Sequence, residues 1–293
     1  MLKKISNCFW NGGIKVNFPI TKINIKKIKT YFREFGFILF RGNGFDPNNI
    51  KNFANNFTRV FANDANRREK TSYDKYINGV DEGFEKMSLH SEASFSPSWP
   101  EILWFFCKKP PTKYGETTFC DGIQLWNILS QKAKNFFLEY PIKFSLKIPV
   151  VKVSKKKGTK AWPLNTIGSA NSFINYKDGC LYLDQIRFAV NESRISGKLA
   201  FSNHFLYKNT DKTIIKWGFV GFKKAPKDII NEVEKKSSQT TYYHKWKYND
   251  LIMIDNKRFM HGRNKLSKNE IGRKVLNMQT LISNISSEKL NLK

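Results

Sequence analysis

Two short stretches far apart in the chain carry side chains that suit one metal site: His90-Ser91-Glu92, and His261-Gly262-Arg263 with Arg273 twelve residues after the histidine. In an extended strand residues i and i+2 share a side, so His90 and Glu92 can face one ion while Ser91 points away. Two imidazoles and one carboxylate on one face of an iron ion leave its other positions open, which is the ligand set of non-haem Fe(II) oxygenases. The same alternation puts Lys86 and Ser88 on the inward side. The third ligand must come from elsewhere, and His261 is the leading candidate, because Asp250-Leu251-Ile252-Met253-Ile254-Asp255 reads as an apolar strand whose following turn delivers it. His204 and His244 have no carboxylate at ligand spacing and read as ordinary histidines.

The elements that must bring these residues together are mostly strands. Ile25, Ile28, Tyr31, Phe32 and Phe35 recur at helical spacing in residues 23–35, and Gly36 then breaks into the short buried strand Phe37-Ile38-Leu39-Phe40. Asp46-Pro47 reads as an N-cap with proline at the first helical position, opening a helix through Phe53 and Phe57. From Lys86 to Thr118, short apolar or alternating runs punctuated by Pro97, Pro100, Pro110, Pro111 and Gly115 read as strands joined by turns. One helix is expected from Asp121 to Phe137. Further strands are expected at Lys143–Val153, Leu181–Val190, Ala200–Tyr207, Asp250–Asp255 and Arg273–Ile282. Lys155-Lys156-Lys157-Gly158 and Lys235–Thr240 read as exposed loops. With no repeat and no linker, the expectation is one domain over residues 1–293 with a helix-strand start in residues 1–60. Its class is mainly β with helical additions (α+β), an antiparallel sandwich or barrel.

Composition narrows the function classes. At 40% hydrophobic and 15% aromatic, with 25 Phe and 7 Trp, the 293-residue chain has ample core material and is not disordered. A net charge of +27 invites a polyanion partner. Yet the basic residues are 41 Lys and only 10 Arg, whereas phosphates and base edges are read best by the arginine fork. The charge is therefore read as spread over the surface, and no base-stacking groove of interleaved aromatics and arginines is visible. Nucleic acid is not expected as a partner. Cys8, Cys107, Cys120 and Cys180 form no CxxC pair, which disfavours a zinc knuckle or a disulfide framework and fits a reduced, cytoplasmic protein. Asn11-Gly12-Gly13 and Lys15 interrupt any signal-peptide core, and no apolar run approaches the roughly 18 residues of a membrane span.

A lone His-x-Glu arises readily by chance, so its company matters. Leu89-His90-Ser91-Glu92-Ala93-Ser94-Phe95, then Pro110-Pro111 and Gly115-Glu116-Thr117-Thr118, then Asp255-Asn256-Lys257-Arg258-Phe259-Met260-His261-Gly262-Arg263, and finally Gly272-Arg273 resemble, in order, the taurine dioxygenase and clavaminate synthase family. Those proteins are Fe(II)- and 2-oxoglutarate-dependent oxygenases on a double-stranded β-helix, a jelly-roll form. The resemblance implies that His90, Glu92 and His261 hold iron, and that Thr117 and Arg273 hold the far carboxylate of 2-oxoglutarate. An arginine binds a carboxylate bidentately and a threonine hydroxyl adds a further donor, so the chemistry agrees. Many family members carry Asp where this chain has Glu92; the clavaminate synthase-like branch uses Glu, and an anionic oxygen donor is kept. Halogenating relatives replace this carboxylate by a small residue, which Glu92 argues against.

What the resemblance implies for activity is consumption of 2-oxoglutarate and O2, with release of succinate and CO2, to hydroxylate a C–H bond of a small substrate. The Leu-His-Ser-Glu form with Phe95 after it is most similar to members that hydroxylate amino acids, free or tethered to a carrier protein, in specialised biosynthesis. A basic surface would suit an acidic carrier protein. Lys86, Ser88, Arg187 and Arg263 are the candidates for binding substrate. The competing readings are a sulfonate dioxygenase of taurine type, a nucleic-acid oxidative demethylase, and a non-catalytic jelly-roll binding protein.

Overall fold

The continuous apolar runs of the sequence become strands buried on both faces, and the two faces belong to different cores. The computed structural model describes residues 2–5, 13–62, 71–80, 83–149, 172–206, 214–222, 226–267 and 272–287. In chain order, β1 (Leu2–Ile5) and β2 (Gly13–Val16) precede α1 (Ile25–Phe35), β3 (Phe37–Phe40), α2 (Ile50–Ala54) and β4 (Thr58–Phe61). Next come β5 (Asn78–Gly79), β6 (Met87–His90), β7 (Ile102–Lys109) and β8 (Thr117–Asp121), then α3 (Gly122–Ile128) and α4 (Gln131–Glu139). β9 (Ile142–Pro149), β10 (Ser172–Lys177), β11 (Cys180–Arg187), β12 (Val190–Glu192), β13 (Leu199–Phe201) and β14 (Ile214–Phe219) lead to α5 (Lys227–Gln239). The chain closes with β15 (Thr241–His244), β16 (Leu251–Asp255), β17 (Phe259–Arg263) and β18 (Lys274–Ser283).

The major sheet runs β1-β2-β3-β16-β7-β18-β4, with β5 also on β18, and the minor sheet runs β15-β8-β17-β6. β9, β10, β11 and β14 form a third sheet, and β12 pairs with β13. Every pairing is antiparallel except β2 with β3. The major and minor sheets face each other as the jelly roll anticipated from the motifs. Phe37, Leu39, Leu103, Phe105, Ile252 and Ile254 of the major sheet meet Phe119 and Phe259 of the minor sheet in one core. The alternate residues Ile38, Phe40, Trp104, Phe106 and Met253 point the other way, onto α1 and α2 through Ile28, Phe32, Ile50 and Phe53. At about 2 kcal/mol for each large side chain withdrawn from water, this double burial dominates the sheet's stability. The outer side of the minor sheet, through Cys120 and Met260, is covered by α3, α4, α5 and the third sheet.

The first helix follows the expectation closely. Asn24 caps it by accepting from Lys27 N at 3.1 Å, and Gly36 ends it in the left-handed region at φ 64°. Elsewhere local chemistry redraws the boundaries. Asp46 accepts from the amides of Asn48 and Asn49 and so caps a turn, and the helix proper runs only from Ile50 to Ala54. The single helix expected from Asp121 to Phe137 is two, because Ser130 gives both its amide and its hydroxyl to Glu232 at 2.7 Å and caps α4 instead of continuing α3. The segment Lys235–Thr240 is not a loop. It is the last turn of α5, whose Ile229, Val233 and Ser237 are buried at helical spacing. The strand expected over Ala200–Tyr207 stops at Phe201; beyond it the Ser202 hydroxyl donates to the Asn256 carbonyl and the Asn203 carbonyl accepts from the Ser91 amide, and Tyr207 lies outside the described residues. Lys155–Gly158 lies outside the described residues. Among the described residues Cys107, Cys120 and Cys180 are free thiols, and no helix is long and apolar enough to cross a membrane.

Candidate active site

β6 and β17 are antiparallel neighbours, and their register sets His261 directly opposite His90. The two ring centroids are 4.4 Å apart. β6 ends at His90 and the chain turns, which brings the Glu92 carboxylate in front of both rings: its Oε2 lies 3.9 Å from Nε2 of His90 and 3.8 Å from Nε2 of His261. One ligand atom from each of the three residues lies within 4.8 Å of the others, and no other such group of histidine, cysteine or carboxylate occurs among the described residues. Donors that each sit about 2 Å from one ion stand no more than about 4 Å apart, so the two Nε2–Oε2 separations suit a shared metal. The donor set, two imidazoles and a carboxylate on one side, is that of iron with open positions.

The surroundings hold these three side chains in place. His90 donates from Nδ1 to the Ser88 carbonyl at 2.9 Å, which fixes the tautomer that leaves Nε2 for a metal. Asn256 clamps the backbone of Glu92 from both sides, accepting from its amide at 2.9 Å and donating to its carbonyl at 3.0 Å. Ser91 points away from the site as its alternation requires, donating to the Asn256 carbonyl at 2.7 Å and accepting from the Trp99 indole at 2.8 Å. The Phe105 ring packs at 5.2 Å from His261, and His204 packs edge-on at 5.2 Å from His90. Asn256, Trp99 and the packing role of His204 were not evident from the sequence. Asn256 lies inside the distal motif, which was its one available signal.

One local expectation is corrected. Arg263 pairs with Met87 and not with Ser88, so Ser88 and Leu89 together oppose the single residue Gly262. This β-bulge offsets the alternation. Met87 therefore reaches the cleft beside His90, while Lys86 is exposed ahead of the strand and Ser88 contributes its carbonyl. The bulge also explains the glycine after the distal histidine: a Cβ at Gly262 would sit 2.6 Å from the Met87 carbonyl oxygen and 2.9 Å from the Thr118 hydroxyl.

The cleft is lined by His90 and His261 together with Thr117, Arg263 and Arg273, and by apolar walls from Val80, Met87, Phe105 and Val275. Thr117 opens β8, beside Arg263 in the register, and Arg273 stands just before β18. Arg263 also donates to the carbonyls of Gly83 and Glu85, tying that segment to β17. Arg187 lies elsewhere, at the end of β11, where it donates to the Ser96 carbonyl at 2.9 Å and stands 5.4 Å from the Trp99 ring centre. Burial lowers its pKa. Lys257 covers the same Trp99 ring at 3.6 Å, and burial together with the Arg187 charge lowers its pKa to about 7.

Behind Thr117 runs a buried polar chain. The Trp246 indole donates to the Thr117 hydroxyl oxygen at 2.8 Å. His244, whose ring is 4.6 Å from Trp246, lies 3.2 Å from an Asp250 oxygen and 3.3 Å from the Tyr242 hydroxyl. Burial lowers the His244 pKa, favouring the neutral ring. Burial works against the charge of Asp250 as well, but hydrogen bonds from Arg41 and His244 prevail and hold its pKa below the usual carboxylate range.

Fold and site together define a non-haem iron oxygenase on a jelly roll. The sequence model for the "Taurine catabolism dioxygenase TauD, TfdA family" matches residues 3–279, and the chain belongs to that family. It is an Fe(II)- and 2-oxoglutarate-dependent dioxygenase. No curated protein matches it by sequence. Among solved structures, the PvcB protein of Pseudomonas aeruginosa superposes with a TM-score of 0.63 at 12% identity, over 95% of this chain and 90% of that one. A taurine dioxygenase from Burkholderia xenovorans gives 0.63 at 11% identity over 98% and 89%. AAD-2, in complex with Mn(II) and N-oxalylglycine, gives 0.61 at 13% identity over 98% of both chains. At such identities these likenesses concern the fold.

Proposed function

We propose that this dioxygenase hydroxylates an unactivated C–H bond of a small substrate of amino-acid type, free or tethered to an acidic carrier protein, in cytoplasmic specialised biosynthesis. In this reading His90, Glu92 and His261 hold the iron, Thr117 and Arg273 hold the far carboxylate of 2-oxoglutarate, and residues 1–293 act as one domain. The observation that carries it is convergence: both imidazoles, Thr117 and Arg273 open onto one cleft with apolar walls.

Bound there, Fe(II), 2-oxoglutarate and O2 supply the oxidative chemistry, with succinate and CO2 as the co-products. The chain's own residues bind, orient and exclude water. Arg273 offers a planar pair of donors to a carboxylate and Thr117 offers one more. Val80, Met87, Phe105 and Val275 give the cleft apolar walls, which strengthen those polar contacts.

The amino-acid reading is supported by the Leu89–Phe95 motif; PvcB, which shares the fold, is an Fe, alpha-ketoglutarate dependent oxygenase from an isonitrile synthetic pathway. The net charge of +27 complements an acidic carrier. The test is succinate release with a panel of free amino acids, aminoacyl-carrier substrates and taurine. Stimulation by an amino acid in either form is expected. Stimulation by taurine alone would replace this reading by a sulfonate dioxygenase.

A further inference from the structure

We propose that Trp246 is a positioning residue for the cosubstrate, fixing the direction in which Thr117 offers its hydroxyl proton. The inference rests on the reading that Thr117 contacts 2-oxoglutarate. An indole nitrogen can only donate, so in the 2.8 Å contact the Thr117 oxygen must be the acceptor. The one proton of that hydroxyl must then go elsewhere. No acceptor for it occurs among the described residues, and Thr117 lines the cleft shared with Arg273. The proton is thus presented to an anion in the cleft, beside the guanidinium that would bind the same group.

The indole is itself held. Trp246 lies just past β15 and is buried in the core between the major and minor sheets. Asp250 closes the turn that carries it by accepting from the Lys247 amide at 2.8 Å, and the same carboxylate is fixed by Arg41, whose Nε donates to it at 2.6 Å. The neutral His244 ring, donating to Asp250 and accepting from Tyr242, packs its face or edge against the indole at 83°. Arg41, Asp250 and His244 therefore keep the donor of Trp246 aimed at Thr117, although none of them lines the cleft.

The experiment is a double-mutant cycle on the affinity of the Mn(II)-loaded protein for 2-oxoglutarate, read by calorimetry, with Trp246→Phe, Thr117→Val and the pair. Trp246→Phe is expected to weaken binding about fivefold, the scale of one neutral hydrogen bond, and to have no further effect in the Thr117→Val background. In turnover its KM for 2-oxoglutarate should rise while kcat holds. Equal weakening in both backgrounds, or none in either, overturns the proposal by making Trp246 a packing residue. If Thr117→Val leaves binding unchanged, the assignment of Thr117 fails instead. Should Trp246→Phe not fold, benzothienylalanine at position 246 keeps the shape and removes only the N–H, and the same outcomes apply.

Discussion

His90 and His261 are direct cross-strand partners, 171 positions apart in sequence and 4.4 Å apart between ring centres. The site is thus a property of the register between β6 and β17. Replacing either residue by alanine should abolish the weak visible band that Fe(II) and 2-oxoglutarate give when mixed with the protein under anaerobic conditions. A band that survives His261→Ala would remove that residue from the ligand set.

Asn256 should matter almost as much without touching a metal. Asn256→Ala frees the backbone of Glu92 on both sides, and a supporting contact of this kind is worth about 10- to 100-fold in metal affinity. Titration with Mn(II) measures it. Affinity equal to that of the wild type would show that the turn alone orients Glu92.

Gly262→Ala forces a methyl group to within 2.6 Å of the Met87 carbonyl. Because that atom belongs to the backbone of a paired strand, the expected cost is about 1–3 kcal/mol, seen as a lower urea midpoint. A neutral substitution would mean that β6 shifts freely, contrary to the bulge described above.

The buried pair of Arg258 and Asp121, joined at 2.6 and 2.9 Å, links the start of β17 to the end of β8. Asp121→Ala leaves a guanidinium in the interior without its counter-charge, at an expected cost of about 3–5 kcal/mol. Asp121→Leu combined with Arg258→Met should recover most of that loss in denaturant titrations, since it removes both charges together.

Burial raises the Asp255 carboxyl to about 6, against the opposing pull of the Ser193 hydroxyl and the Arg258 charge. A pKa raised above the unfolded value of about 3.9 means that the folded state binds the extra proton. The associated stability is fully present below about pH 4 and is lost as pH rises to about 6. Relative to Asp255→Asn, the wild type should therefore lose stability across that window and hold a constant offset above it. Paired urea titrations at several pH values measure this, and parallel curves throughout would contradict the raised pKa.

The sequence disclosed the elements whose signals are local. Asn24 and Gly36 bound α1 by capping chemistry, and the runs Phe37–Phe40 and Leu251–Ile254 are apolar throughout because each strand is covered on both faces. The three residues of the candidate metal site stood out in the sequence because each sits in a compact motif. What stayed hidden depends on partners far away in the chain. Ser130 separates α3 from α4 only because Glu232 is there to receive its amide. The polar end of α5 looks like a loop until Ile229 and Val233 have a core to bury against. Trp246 belongs to no motif, and its contact with Thr117 follows from the pairing of β15 with β8.

The bulge ahead of His90 carries a consequence for how such a pocket diversifies. Which β6 side chain reaches the cleft is decided by how many residues are squeezed opposite Gly262, so Met87 owes its place to spacing more than to its own chemistry. Gain or loss of one residue in that short stretch would exchange the wall of the cleft while leaving His90, Glu92 and His261 in place. Selectivity on this scaffold is thereby open to change through strand length, a route that scanning by substitution never samples.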